Sequence, residues 1–212
     1  MNFIETKNLF LKVPSKINLE KWTEWINSQF CRQTIHTLQT PITLEMQWKW
    51  IENNLASKKR IILEIIEKKK NTFIGVVSLS EIDYEHRSAQ ISTIAPTKKI
   101  DKNQLYVYEA RIALVNYAFS QLSLNKIWGQ MQYPENINFL IKNMSIGFEI
   151  EGVNHSCRLI DNEFKHGIRY FMTRAIFKKK KILSSSLKTL LSNKNIDFNK
   201  KKLNKILSLI LI

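Results

Sequence analysis

Three side chains that can accept a proton fall close together in this chain: Glu81, Asp83 and His86. They follow the apolar run 72–79, so they stand where a strand ends. A carboxylate there, or an imidazole with its ordinary pKa of about 6.5, can take a proton from a bound molecule. Glu81 is the first candidate for such a base and Asp83 the second, with Asp83 also suited to holding the turn that follows. Other chemistries lose support. His36, His155 and His166 have no ligand spacing with Cys31, Cys157 or a carboxylate, so no metal is expected. The sequence contains no P-loop, no nucleophile elbow and no dinucleotide fingerprint.

The elements that must position these groups are legible in the spacing. Leu105, Tyr108, Ile112, Val115, Phe119 and Leu122 recur at steps of three and four, the period of one buried helical stripe. Ile127, Gly129 and Met131 then alternate with Trp128, Gln130 and Gln132 as a strand that Pro134 stops. From Asn136, a natural N-cap, Ile137, Leu140, Ile141 and Met144 mark a second helix, and Gly147 offers its left-handed stop before Phe148 starts another strand.

This order carries a resemblance. Tyr117, Ala118, Phe119, Leu122, Leu124, Asn125, Lys126 and Ile127, then Asn136, then Gly147, Phe148, Glu151 and Gly152, look like the GCN5-related N-acetyltransferase (GNAT) superfamily, and most closely its ribosomal-protein N-acetyltransferase branch. Ile74, Gly75, Leu79, Ile82, Asp83, Arg87 and Ala89 resemble the central strand pair of that branch, so the likeness covers residues 8–176. It implies an α/β fold, a single mixed and mostly antiparallel sheet flanked by helices, and acetyl-CoA as co-substrate.

The resemblance also implies where that co-substrate sits. The thioester carbonyl lies against the strand end at Ile94 and Ala95, and the pyrophosphate against the segment entering the long helix: Lys102, Asn103, Gln104, Leu105, Tyr106 and Val107. Asn136 stands where relatives hydrogen-bond the pantetheine arm. Relatives have glycine at the positions of Asn103, Leu105 and Val107. A β-branched Val resists positive φ, and any Cβ limits the approach of backbone to phosphate. Two outcomes stay open: Lys98, Lys99, Lys102, Asn103 and Gln104 supply charge and donors in place of glycine, or the site has decayed and the fold serves as a binding module. Where many relatives have a tyrosine that protonates the leaving thiolate, this chain has Asn143, which has no proton to give.

Upstream, residues 9–13 read as an edge strand, Leu19, Trp22 and Ile26 as a short helix, and Leu44, Trp48, Ile51 and Leu55 as a second helix capped by Thr43. Trp22, Trp25, Trp48 and Trp50 at this spacing belong to core rather than to a site. Runs 60–67, 72–79 and 89–95 are three antiparallel strands. A last strand pair spans 148–159 and 168–177, with 161–167 as its connection.

The chain of 212 residues is expected to hold one acetyltransferase-like domain, 1–177, and a basic extension, 178–212. Ten lysines against Asp197 alone give that extension +9 of the net +15, leaving a moderately basic body of +6. No DNA-binding module is evident in that distribution. Leu203, Ile206, Leu207, Ile210 and Leu211 make the extension apolar on one side, suited to a membrane surface or a protein partner. Two unpaired cysteines, no basic leader and no membrane-length apolar run point to a cytoplasmic protein.

The expected activity is transfer of acetyl from acetyl-CoA to a primary amine, on a protein N-terminus or an amino-sugar nucleotide. The basic body favours an anionic acceptor and disfavours polyamines. The alternative is a catalytically degenerate binding module.

Overall fold

Nearly every side chain of Ile61–Glu67 is buried, which a strand achieves only when both faces are covered. In the computed structural model, which describes residues 2–29, 31, 40–95, 102–160 and 162–210, that strand is central to the first of two compact units, Met1–Leu124 and Asn125–Ile212. The side chains of residues 102–104, 209 and 210 are outside the description.

The first unit is an antiparallel series in which each strand pairs with the next: β1 (Asn2–Glu5), β2 (Leu9–Lys12), β3 (Ile61–Glu67), β4 (Thr72–Asp83) and β5 (Ser88–Ile94). Helices α1 (Leu19–Asn27) and α2 (Leu44–Ala56) cover one face, where Leu19, Trp22, Ile26 and Ile51 pack against Ile62, Ile66, Phe73 and Val76. Helix α3 (Lys102–Ser120) packs along β2 to β5. Alternation along β3 and β4 sends successive side chains to opposite faces.

Several expectations shift here. β1 pairs with β2, so β2 is not an edge strand, and its Leu9 and Leu11 are fully buried on one face. Thr43 does cap α2, its Oγ1 accepting from Met46 N at 3.2 Å. The buried face of α2 nevertheless runs through Gln47 and Ile51, and Leu44 and Leu55 are exposed at 47% and 39%. In α3 the buried face widens to Val107, Tyr108, Ala110, Arg111, Leu114, Val115, Ala118 and Phe119, and Leu122 lies beyond its end.

The second unit has strands β6 (Lys126–Tyr133), β7 (Glu149–Ile160) and β8 (Glu163–Thr173), with β8 between the other two and all pairs antiparallel. Helix α4 (Ile137–Ser145) ends at Gly147, whose φ of +111° and N–H to Met144 carbonyl, with Phe148 N to Asn143 O at 3.1 Å, close the helix before β7. The last strand is earlier than expected. Residues 163–167 belong to β8, not to a connection, since Leu159 and Phe164 already pair across the hairpin. The strand stops at Thr173, whose Oγ1 accepts from Ile176 N and caps α5 (Arg174–Lys179). Helices α6 (Leu187–Leu190) and α7 (Asn193–Ile210) follow. Leu203 and Leu207 of α7 are buried where it packs on α4, and Asn199 donates to Ser145 Oγ at 3.2 Å. Among the described residues no helix is long and apolar enough to cross a membrane.

Candidate active site

The end of β5 is fixed by a residue without a side chain. A Cβ at Gly75 would meet the Ile94 carbonyl at 2.7 Å and Ala95 Cβ at 3.0 Å, so glycine lets the two strands close on each other at the Val76 and Ile94 rung. Ile94 and Ala95 are both half-buried there.

Chain leads from this point into α3. The positions expected to need glycine, Asn103, Leu105 and Val107, are helical, since α3 begins at Lys102. None of them is among the described residues with positive φ, so Val107 carries no backbone strain and is instead buried to 4% exposure in the core. The N–H groups of residues 102–104 open the first turn, where intrahelical acceptors are lacking and the positive end of the helix dipole lies. That arrangement fits an anionic phosphate group. Lys98 and Lys99 lie outside the described residues.

The rest of α3 is locked to its neighbours. Glu109 accepts from Thr6 Oγ1 at 2.5 Å, Asn8 N at 3.0 Å and Asn8 Nδ2 at 2.8 Å, which ties the helix to the turn between β1 and β2. The Tyr106 hydroxyl bonds Glu67; burial, then the carboxylates of Glu67 and Glu109, push its pKa up. Tyr106 is therefore engaged with β3. Arg111, fully buried, donates from its guanidinium to Thr93 Oγ1 at 2.8 Å and ties the helix to β5. Its sequence signal was a lone charge inside an apolar face, four residues from Val107 and from Val115.

On the opposite face of β4 and β5 runs a polar ladder that the spacing did not reveal. Ser78 and Ser92 share a hydrogen bond of 2.7 Å, and Ser80 Oγ donates to Gln90 Oε1 at 3.3 Å. Both rungs lie between Ile94 and the expected bases. From the Val76 and Ile94 rung to Glu81, β4 advances five residues, about 16 Å at the rise of a strand. The structure therefore does not bring Glu81 or Asp83 directly beside Ile94.

Glu81 is exposed, with φ of +50° at the irregularity between Ser80 and Asp83, and its charge is felt by the half-buried Arg60 guanidinium. Arg60 in turn lies 5.3 Å over the Trp50 ring. Asp83 closes the turn between β4 and β5. Its Oδ1 accepts from His86 N at 2.7 Å and its Oδ2 pairs with His86 Nδ1 at 3.0 Å. The backbone bond from His86, then its side chain, hold the Asp83 carboxyl below the usual carboxylate range, a poor setting for a base.

In the second unit Asn136 sits at the N-cap position of α4, yet its side chain makes no capping bond. Its Nδ2 donates to Gln132 Oε1 at a long 3.5 Å, which leaves the expected cap role unfilled. Asn143 is fully buried and its Nδ2 donates to the Phe139 carbonyl at 2.7 Å. Among the described residues no group of three or more His, Cys, Asp or Glu side chains is arranged to hold a metal.

A family model described as the acetyltransferase (GNAT) domain matches residues 8–138. The spermidine N-acetyltransferase of Vibrio cholerae, solved in complex with CoA and spermine, superposes with a TM-score of 0.73 at 18% identity, over 82% of this chain and 99% of that one. A probable acetyltransferase superposes with a TM-score of 0.68 at 17% identity, over 82% and 98%. These likenesses show the acyl-CoA N-acyltransferase fold expected from the sequence. No curated protein matches the sequence significantly.

Proposed function

The chain belongs to the acetyltransferase (GNAT) family, with acetyl-CoA as co-substrate, and we propose that it acetylates the primary amine of a protein N-terminus or an amino-sugar nucleotide. The observation that carries the enzyme reading over a decayed site is the helical, unstrained first turn of α3, whose N–H groups do not depend on glycine. Acetyl-CoA supplies an acyl group activated as a thioester. In this reading the backbone N–H groups of Asn103 and Gln104, with the charge of Lys102, hold its pyrophosphate, and Leu105 continues the turn behind them. The backbone of Ile94 and Ala95 orients the acyl end. Tyr106 and Val107 support the turn from behind, through Glu67 and the core respectively.

Glu81 is assigned as the final proton acceptor, ahead of Asp83, whose carboxyl is already spent on His86. The amine proton passes to it along water and the hydroxyl pair of Ser78 and Ser92, which bridges part of the distance from Ile94. Asn143 offers no proton, so the thiolate leaves as such and is protonated by solvent, as the ordinary thiol pKa of about 8.5 permits.

The acceptor is neutral or anionic in this reading because the body of the chain is basic. The Vibrio cholerae protein acts on spermidine, so a polyamine is the acceptor to be tested against it. The experiment is release of free CoA thiol with three acceptors: peptides with a free N-terminus, amino-sugar nucleotides, and spermidine. Acetylation of either of the first two classes is expected. Turnover of spermidine alone overturns the acceptor assignment, and no calorimetric binding of acetyl-CoA into the millimolar range overturns the enzyme reading.

A further inference from the structure

The C-terminal helix turns Leu203 and Leu207 of its apolar side toward the protein itself. Leu203 and Leu207 of α7 are buried against α4, and Asn199 ties the helix to Ser145 and to the carbonyl of Asn195. What α7 turns outward is different in kind. Lys194, Phe198, Lys201, Lys202 and Lys205 recur at steps of three and four, so they share one helical face, and all five are exposed. Phe198 stands in the middle of it at 66% exposure. The only acid in residues 178–212 is Asp197.

An interfacial membrane helix must immerse an apolar strip in the acyl boundary. Here Leu203 and Leu207 of that strip are already occupied, and the outward face has a single aromatic ring among four ammonium groups, with the exposed Asp197 at its edge. An acidic protein would be met by the lysines alone and would have no use for the ring. A single-stranded nucleic acid uses both: phosphates pair with the lysines, and any base offers a π-face to Phe198. The face from Lys194 to Lys205 is about 16 Å long at the rise of a helix.

We propose that this face of α7 binds single-stranded RNA without regard to sequence, Phe198 stacking on a base while Lys194, Lys201, Lys202 and Lys205 contact the backbone. The site is independent of acetyl transfer.

The test is fluorescence anisotropy of a labelled oligouridylate with the full chain, and with Phe198→Ala and a Lys201→Glu/Lys202→Glu variant. These side chains are exposed, and thermal melts verify that the variants fold. With four phosphate contacts, raising KCl from about 50 to about 200 mM is expected to weaken binding about fiftyfold. Phe198→Ala is expected to weaken it about tenfold with the salt dependence unchanged. The double lysine variant is expected to lose affinity and flatten the salt dependence. No binding at low salt overturns the proposal. Equal binding by wild type and Phe198→Ala leaves only polyelectrolyte attraction and also overturns it, as does equal or tighter binding to polyglutamate or to phosphatidylserine vesicles.

Discussion

The carboxylate of Glu109 grips Asn8 twice, taking its backbone N–H at 3.0 Å and its side-chain amide at 2.8 Å. Thr6 completes the clamp, so one side chain of α3 organises the whole turn between β1 and β2. Glu109→Ala leaves these donors without their charged acceptor and is expected to cost about 2–3 kcal/mol, by the usual size of hydrogen bonds to charged groups. Urea unfolding measures it; a change below about 0.5 kcal/mol would mean water serves the turn equally well.

Gly75→Ala drives a methyl group into the Ile94 carbonyl, 2.7 Å from where the Cβ must stand. Overpacking of this kind costs about 1–3 kcal/mol. Because the displaced residues are those assigned to orient the acyl end, acetyl-CoA affinity should fall more than thermal stability accounts for. Calorimetry beside a melt separates the two, and unchanged affinity would remove Ile94 and Ala95 from the site.

Glu81→Gln should lower kcat by about a hundredfold or more with KM little changed, the range for loss of a general base. Asp83→Asn should leave kcat within a few-fold, since its carboxyl serves the turn through His86. Ser92→Ala should lower kcat by an intermediate factor, because water replaces the lost hydroxyl. The reverse order for Glu81 and Asp83 would exchange their roles.

Glu64 is a carboxylate 2% exposed, accepting from Ser15 N at 3.1 Å and Asn18 Nδ2 at 2.7 Å. Burial outweighs these bonds and raises its pKa. The native state then holds the proton more tightly than the unfolded chain does. Its contribution to stability is complete below the unfolded value of about 4.5 and is lost as pH rises through the raised native value. Glu64→Gln should flatten this part of the stability curve, read from denaturant midpoints at successive pH values.

What the sequence disclosed, it disclosed through periodicity. Residues 60–67 announced an extended strand by their apolar content, Gly147 a helix stop, and Thr43 a cap. Burial in α2 was misread because Gln47 is inside while Leu44 is outside, a choice made by neighbours that spacing cannot name. Likewise β1 has an exposed, patternless sequence and exists because β2 offers it a partner. The long helix was legible from its stripe of Leu105 to Phe119, although its start at Lys102, inside the segment expected as a loop, was not. The site was not legible where cross-strand register decides, as for Ser78 with Ser92, fourteen residues apart, or for the distance between Glu81 and Ile94.

At the start of α3, stability and the older glycine pattern pull against each other. Glycine in a helix costs about 1 kcal/mol relative to alanine, so a chain with Asn103, Leu105 and Val107 in place of glycine has the firmer helix, and Val107 adds a side chain to the core. Mutational drift back to glycine therefore carries a folding cost, largest at the buried Val107. A lineage with such a helix gives up stability whenever it returns to glycine there, so only selection on turnover strong enough to outweigh that loss would restore it.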